Sequence, residues 1–168
     1  MRITRYLKPQ NVRLGLRSGH LDEIDPAKER GAELARLKSE VIAELVELFM
    51  STGVIRNRNK FQLDLVNREK ASSTAVGCGV AVPHVRSMQP RDIGLVFARS
   101  EQGVWYDAPN GGLVHIFFGL CSPVYDDDQA LNLYKWVAHN FLHEQWLMPA
   151  LLAAPDANEI IKILSGLR

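Results

Sequence analysis

The stretch GCGVAVPHVR, residues 77–86, decides how the chain is to be folded. Val80 and Val82 alternate with small residues as in a strand, where successive side chains point to opposite faces. Two glycines precede them and a Pro83-His84 pair follows, and neither belongs to an ordinary strand interior. The pattern predicts a strand over Val76 to Val82 that stops at Pro83, which fixes its own φ and restricts Val82 to extended backbone. His84 then leaves the sheet in a defined direction at a strand's carboxyl end, where open α/β sheets gather their ligand sites. Gly77 and Gly79 lack side chains and would admit another backbone or a phosphate at close range.

Upstream, Val12, Leu14 and Leu16 alternate as a short strand, and Asp25-Pro26 offers an N-cap with proline at the first helical position. Leu34, Leu37, Val41, Leu45, Leu48 and Phe49 recur at three- and four-residue spacing, which predicts a long helix closed by Gly53. KFQLDLVNRE (60–69) predicts a second. Downstream, IGLVFAR (93–99) and LVHIFFGLC (113–121) read as strands, the latter so continuously apolar that both faces are expected to be covered. After Pro123 the pattern is helical again, with Asp126, Asp127 and Asp128 supplying a cap and favourable charge for a helix from about residue 129. A last helix opens at Asp156, with Glu159 placed as in a capping box. Helices before, between and after strands predict an α/β fold: a single-domain α/β/α sandwich over residues 1–168, with a mixed, mostly parallel sheet flanked by helices.

The 168 residues are 46% hydrophobic and 23% charged, enough to bury one sizeable core. A net charge of +1 argues against a basic nucleic-acid scaffold, and no nucleic-acid partner is expected. Charge is uneven, however: residues 1–60 hold 12 basic and 8 acidic side chains, whereas residues 121–168 hold 3 and 6. Such polarity suits docking to a charged protein surface. Cys78 and Cys121 are too few for a disulfide framework and lack C-x-x-C spacing, which fits a reducing compartment. The N-terminal MRITRYLKPQNVRLGL has no apolar core and does not read as a signal peptide. No apolar run is long enough for a membrane span, so a cytoplasmic protein without membrane insertion is expected.

Around His84, Arg68 and Arg86 could offset negative charge, and Ser72, Ser73 and Thr74 could donate hydroxyls. Together these would suit a transient phosphoryl group on an imidazole nitrogen. The plainer reading remains open on the residues alone, since a lone histidine is more often structural and an arginine more often solvated. His139 and His143 stand four apart on a helix, as metal ligands can, but no third ligand is in register and no metal is expected. Gly77-x-Gly79-x-x-Val82 lacks the third glycine of a dinucleotide fingerprint, and no cofactor is expected there either.

REKASSTAVGCGVAVPHVR (68–86) resembles the signature of the fructose/mannitol-type enzyme IIA domains of the bacterial phosphoenolpyruvate:sugar phosphotransferase system, nitrogen-regulatory members included. That signature has an R-E pair, then S-T, then G-x-G-[IV]-A-[IV]-P-H, and Arg68-Glu69, Ser73-Thr74, Gly77, Gly79 and Val80 to His84 match it. The resemblance runs from YLKPQNVRLGL through the long helix to LVHIFFGLCSP and the closing helices. It implies a phosphocarrier in which His84 accepts a phosphoryl group, on Nε2, from the phosphohistidine of an HPr-like carrier protein. The group then passes to a IIB component, or stays as a regulatory signal on a protein that docks a target. Arg68, Arg86, Ser73, Thr74, Gly77 and Gly79 are the expected phosphate-supporting residues, with no metal or nucleotide at this step. One departure stands out. The family's second histidine, near the start of the helix after the P-x-x-x loop, aligns with Ala130, and Tyr134 lies one turn further on the same face. A regulatory binding module that keeps the IIA fold without transferring phosphate is the alternative reading.

Overall fold

The computed structural model describes residues 1–126 and 128–168. A six-stranded sheet contains β1 (Val12–Arg13), β2 (Ala75–Gly77), β3 (Val80–Ala81), β4 (His84–Ser87), β5 (Gly94–Val104) and β6 (Val114–Pro123). Its order is β1-β5-β6-β3-β2, with β4 also paired to β6. β1 lies parallel to β5, and β3 and β4 lie parallel to β6; β5 with β6 and β2 with β3 are antiparallel. The sheet is therefore mixed and mostly parallel, as expected. Helices α1 (Arg30–Ser51), α2 (Arg58–Ala71), α3 (Gln129–His143), α4 (Leu147–Ala153) and α5 (Ala157–Ser165) flank it. Among the described residues no helix is long and apolar enough to cross a membrane.

Alternation along the strands feeds two cores. On one face Val96, Ala98, Phe117 and Cys121 pack with Val41, Leu45 and Phe49 of α1 and with Phe61 and Leu65 of α2. On the other, Leu95, Phe97, Ile116, Phe118 and Leu120 pack with Leu133 and Val137 of α3, Leu147 of α4 and Ile160 of α5. Covering both faces is what makes LVHIFFGLC read as an unbroken apolar run. Each fully buried Leu, Ile or Phe contributes about 1.5–3 kcal/mol, so the layers hold together mainly through this burial. Gly119 sits where α1 crosses the sheet; an added Cβ would lie 2.8 Å from the Phe49 ring and 2.6 Å from Val96.

Several local expectations are corrected. α1 begins at Arg30 and not beside Asp25-Pro26. Asp25 instead closes a turn, its Oδ1 accepting the Ala27 N–H at 2.9 Å and its carbonyl the Lys28 N–H at 3.2 Å. β1 is only two residues long, although beyond it the Leu16 N–H still donates to the Arg99 carbonyl of β5 at 2.9 Å. At α3 the capping bond comes from Asp126, whose Oδ2 accepts the Ala130 N–H at 3.0 Å. Asp128 precedes the helix without a side-chain cap, and Asp127 lies outside the described residues. α5 is capped as expected by Asp156, which accepts the Glu159 N–H at 2.8 Å.

The largest correction concerns residues 76–82, which form a hairpin and not one strand. β2 runs antiparallel to β3, Ala75 opposite Ala81 and Gly77 opposite Val80. The turn between them has φ of +92° at Gly77, +54° at Cys78 and +76° at Gly79. Left-handed backbone is what glycine tolerates at no steric cost, so the two glycines make the reversal. Beyond the turn, β3 and β4 share one register on β6: Val80 faces Ile116, Ala81 Phe117, His84 Leu120 and Val85 Cys121. They are one strand interrupted at Val82-Pro83, where proline has no N–H to give, with β3 flanked by β2 and β4 left at the edge. The Pro83 carbonyl still accepts the Leu120 N–H at 2.9 Å. His84 thus lies within an edge strand and not past its carboxyl end.

Candidate functional site

The interrupted edge explains how His84 is displayed. Val80 and Val82 point into the core shared with α3, α4 and α5, and strand periodicity sends His84 the same way. β2 covers the outer side of β3 only, so at β4 the sheet's edge is uncovered and the end of α2 comes alongside. The imidazole is half-buried between Arg68 of α2 and Tyr134 of α3. Its Nδ1 lies 2.7 Å from the Val82 carbonyl, which has only lone pairs, so Nδ1 carries the proton and donates. Nε2 is then the acceptor, and the Arg68 Nη2 donates to it across 3.2 Å. Arg68 is itself steadied by Nη1, which donates to the Ser72 carbonyl at 3.0 Å. The Tyr134 ring stands 5.2 Å from the imidazole at 58°.

Burial is the main force on the His84 titration and lowers it; the Val82 carbonyl raises it, the Arg68 charge lowers it further and the Glu69 charge raises it. The net direction is downward, towards a neutral ring. A neutral imidazole with a lone pair on Nε2 is chemically able to act as a nucleophile, and the guanidinium it faces is able to pair with an anion.

A pocket of about 480 Å³ opens over this nitrogen, walled by Arg68, Arg86, Leu120, Ser122, Asp126, Ala130, Leu131 and Tyr134. Arg86 lies two residues along β4, opposite Ser122 in register, and its Nη1 donates to the Asp126 carbonyl at 3.1 Å. Leu131 on α3, which lines the pocket, is exposed, as are Met88 after β4 and Val124 and Tyr125 after β6. Tyr125 is anchored through its hydroxyl, which donates to the Arg91 carbonyl at 2.9 Å.

Of the residues read from sequence, the fold brings Arg68, Arg86 and Ala130 to the His84 pocket. It does not bring Ser73, Thr74, Gly77 or Gly79 there. Gly77 and Gly79 lie at the hairpin turn, at the far end of β3, where a Cβ on Gly79 would meet Met148 and His115. The Ser73 hydroxyl donates to the Asp107 carbonyl at 3.1 Å. Thr74 is buried and bound to Glu69. Sequence reasoning missed Ser122, whose only signal was a hydroxyl at the end of the apolar run, and it missed Lys38, which pairs with Glu69 at 2.8 Å.

The remaining polar residues have local explanations. His139 and His143 stack at 4.3 Å, His143 Nδ1 donating to the His139 carbonyl. No His, Cys, Asp or Glu among the described residues completes a metal-holding group with them. His115 Nδ1 donates to the Ser100 carbonyl at 3.0 Å. Cys121 is buried, which pushes its thiol up to about 12 and leaves it unreactive at neutral pH.

Known proteins place this geometry in context. The profile of the family described as phosphoenolpyruvate-dependent sugar phosphotransferase system, EIIA 2, matches residues 32–166. The chain is 26% identical over 165 residues, 98% of its length, to the PTS system fructose-specific EIIABC component of Bacillus subtilis, and spans 23% of that protein. It is 32% identical over 101 residues to a nitrogen regulatory protein of Bradyrhizobium diazoefficiens, covering 60% of this chain and 65% of that one. Its fold matches the crystal structure of nitrogen regulatory protein IIA-Ntr from Neisseria meningitidis with a TM-score of 0.80, at 24% identity, over 98% of this chain and 99% of that one.

Proposed function

The chain belongs to the phosphoenolpyruvate-dependent sugar phosphotransferase system EIIA 2 family, and on that premise we propose that His84 is its phosphoryl acceptor. An HPr-like carrier protein donates from its own phosphohistidine, and the group passes on to a IIB component or remains as a regulatory signal read by a docked target. The observation that carries this reading is the bare Nε2, held between the Val82 carbonyl on the far nitrogen and Arg68 at the pocket mouth.

The step balances without a metal or nucleotide. The Nε2 lone pair forms a bond to phosphorus as the donor's P–N bond breaks, and that electron pair returns to the donor imidazole. His84 keeps its Nδ1 proton, so its ring becomes cationic as it takes the group, and the Val82 carbonyl stabilises that charge. Phosphoryl transfer of this kind depends chiefly on alignment and on neutralising the equatorial oxygens, which here falls to Arg68 and Arg86. The exposed Leu131 gives the pocket an apolar side chain against which a carrier can close and exclude water. We place this exchange in the cytoplasm, with residues 1–168 acting as one IIA-type unit.

A second reading is favoured by one residue. Ala130 puts a methyl group where an imidazole would face His84, so a docking module with slow or absent transfer has a structural basis. Incubation with phosphoenolpyruvate, enzyme I and an HPr-like carrier, read by intact mass, separates the two. Transfer predicts one acid-labile phosphoryl group, absent in His84→Ala; an unmodified wild-type chain would leave the docking module.

A further inference from the structure

Behind His84, on the side away from the pocket, lies a buried ionic cluster to which phosphoryl acceptance assigns nothing. We infer that Lys38, Glu69 and Thr74 form a positioning relay that sets the His84 tautomer, presenting Nε2 and not Nδ1 to the incoming phosphoryl group; this rests on the reading of His84 as the acceptor. Glu69 is 4% exposed and neighbours Arg68 on α2. Its carboxylate accepts from Lys38 Nζ at 2.8 Å, from the Thr74 N–H at 3.0 Å and from the Thr74 hydroxyl. The Lys38 ammonium also lies 5.0 Å from the centre of the buried Tyr106 ring.

The relay then runs through backbone. Thr74, fixed at both donors, offers its carbonyl to the Val82 N–H at 2.9 Å, and Val82 offers its own carbonyl to His84 Nδ1 at 2.7 Å. Val82 stands at the interruption between β3 and β4, ahead of a proline, so the β6 ladder does not fix it as it fixes its neighbours. Thr74 supplies that fixing. One end of α2 therefore does two things: Arg68 reaches forward to Nε2, and Glu69 reaches back to hold Thr74, which holds the Val82 that meets Nδ1. A buried ion pair seldom adds net stability over apolar packing, so its contribution here is geometric.

The test uses the whole chain and reads the tautomer directly, by imidazole ¹⁵N shifts, as well as the rate of phosphorylation by the HPr-like carrier. In wild type one ring nitrogen should be protonated, Nδ1, and the other bare. Glu69→Gln should mix the two tautomers and slow phosphorylation roughly 10- to 100-fold, the scale of a misplaced reacting group. Thr74→Val should act in the same direction, and Thr74→Ser, which keeps the hydroxyl, should restore both readouts; this pair decides the matter if Glu69→Gln does not fold. A folded Glu69→Gln or Thr74→Val with wild-type tautomer and rate would overturn the relay. Because the tautomer is read without a donor, a tautomer that shifts in a chain that is never phosphorylated would uphold the relay and refute the acceptor role instead.

Discussion

The Arg68 guanidinium stands 3.2 Å from His84 Nε2, close enough to donate a hydrogen bond to the nitrogen that attacks in the proposed transfer. A donor on the nucleophile's own lone pair has to yield as phosphorus arrives, and the oxygens that come with phosphorus give it a better partner. Arg68 therefore serves two states with one side chain. A charge-assisted contact of this kind is worth about 1.5–3 kcal/mol, or roughly 10- to 100-fold in rate. Arg68→Ala is expected to slow phosphorylation by that factor without abolishing it. Arg86→Ala should cost less, because the Arg86 Nη1 is already engaged by the Asp126 carbonyl. Stopped-flow or quench measurement of both variants checks the order; equal, unaltered rates would reduce both arginines to surface charges.

Acid should act on stability and on reactivity through the same imidazole. His84 is held below the ordinary histidine value of about 6.5, mainly by burial and further by Arg68, against the Val82 carbonyl and Glu69. As pH falls below about 6.5 the unfolded chain takes up the proton before the folded one does, so this group weakens folding progressively on the acid side. Above that value its contribution is constant. His84→Gln should therefore flatten the fall of the thermal midpoint below about pH 6.5 and leave the neutral range unchanged. Phosphoryl acceptance, which needs a bare Nε2, should hold a plateau through about pH 7 and decline only below the ordinary value. A decline centred above about pH 7 would show a raised titration and contradict the buried neutral ring.

The family and the alternation of helix and strand were legible in the sequence, because the signature around Pro83-His84 is local and the run 113–121 is unmistakably buried. The hairpin at Gly77–Gly79 was not, since small residues alternating with valines look the same in a strand and in a tight reversal. Nor was the edge position of His84, which depends on pairing with Leu120 in a distant strand. Ser73 and Thr74 were drawn to the phosphate by nearness in sequence, yet the backbone turns them towards Asp107 and Glu69. Lys38 and Ser122 come from α1 and β6, and only tertiary packing brings them to the neighbourhood of His84.

Arg99 illustrates a buried charge whose work is purely structural. It is 8% exposed, on β5, with Nε donating to the Leu14 carbonyl at 2.9 Å and Nη1 to the carbonyls of Leu151 and Ala154 at 2.8 and 2.7 Å. It therefore joins the N-terminal segment to the end of α4. Arg99→Met would fill much of the volume and leave three carbonyls without this donor, at about 1–3 kcal/mol for each one that water cannot reach. The expected loss is about 3 kcal/mol or more in urea unfolding, with the phosphorylation rate of the folded fraction unchanged. A loss below about 0.5 kcal/mol would mean the carbonyls find other partners.

Ala130 stands where the resemblance to enzyme IIA domains leads one to expect a second histidine, and the site shows what surrounds it. The residue is half-buried in the first turn of α3, lines the His84 pocket, and has its N–H held by Asp126. Tyr134, one turn further on, brings its ring to 5.2 Å from the imidazole. An added imidazole there could orient His84 and balance charge as phosphate arrives or leaves, help typically worth about 10²- to 10⁴-fold. A retrofitted side chain should recover only part of that, so Ala130→His is expected to speed exchange with the HPr-like donor by roughly tenfold. The helix should hardly notice, since the propensity difference from alanine is about 0.7 kcal/mol or less at a first-turn position. A rapid-quench time course of wild type against Ala130→His, with His84→Ala as blank, measures the effect, and Tyr134→Phe in both backgrounds assigns it. If the phenol already stands in for the missing imidazole, Tyr134→Phe slows the wild type and Ala130→His then restores the rate. Rates unmoved by either substitution would mean that Arg68 and the Val82 carbonyl suffice for transfer in this chain.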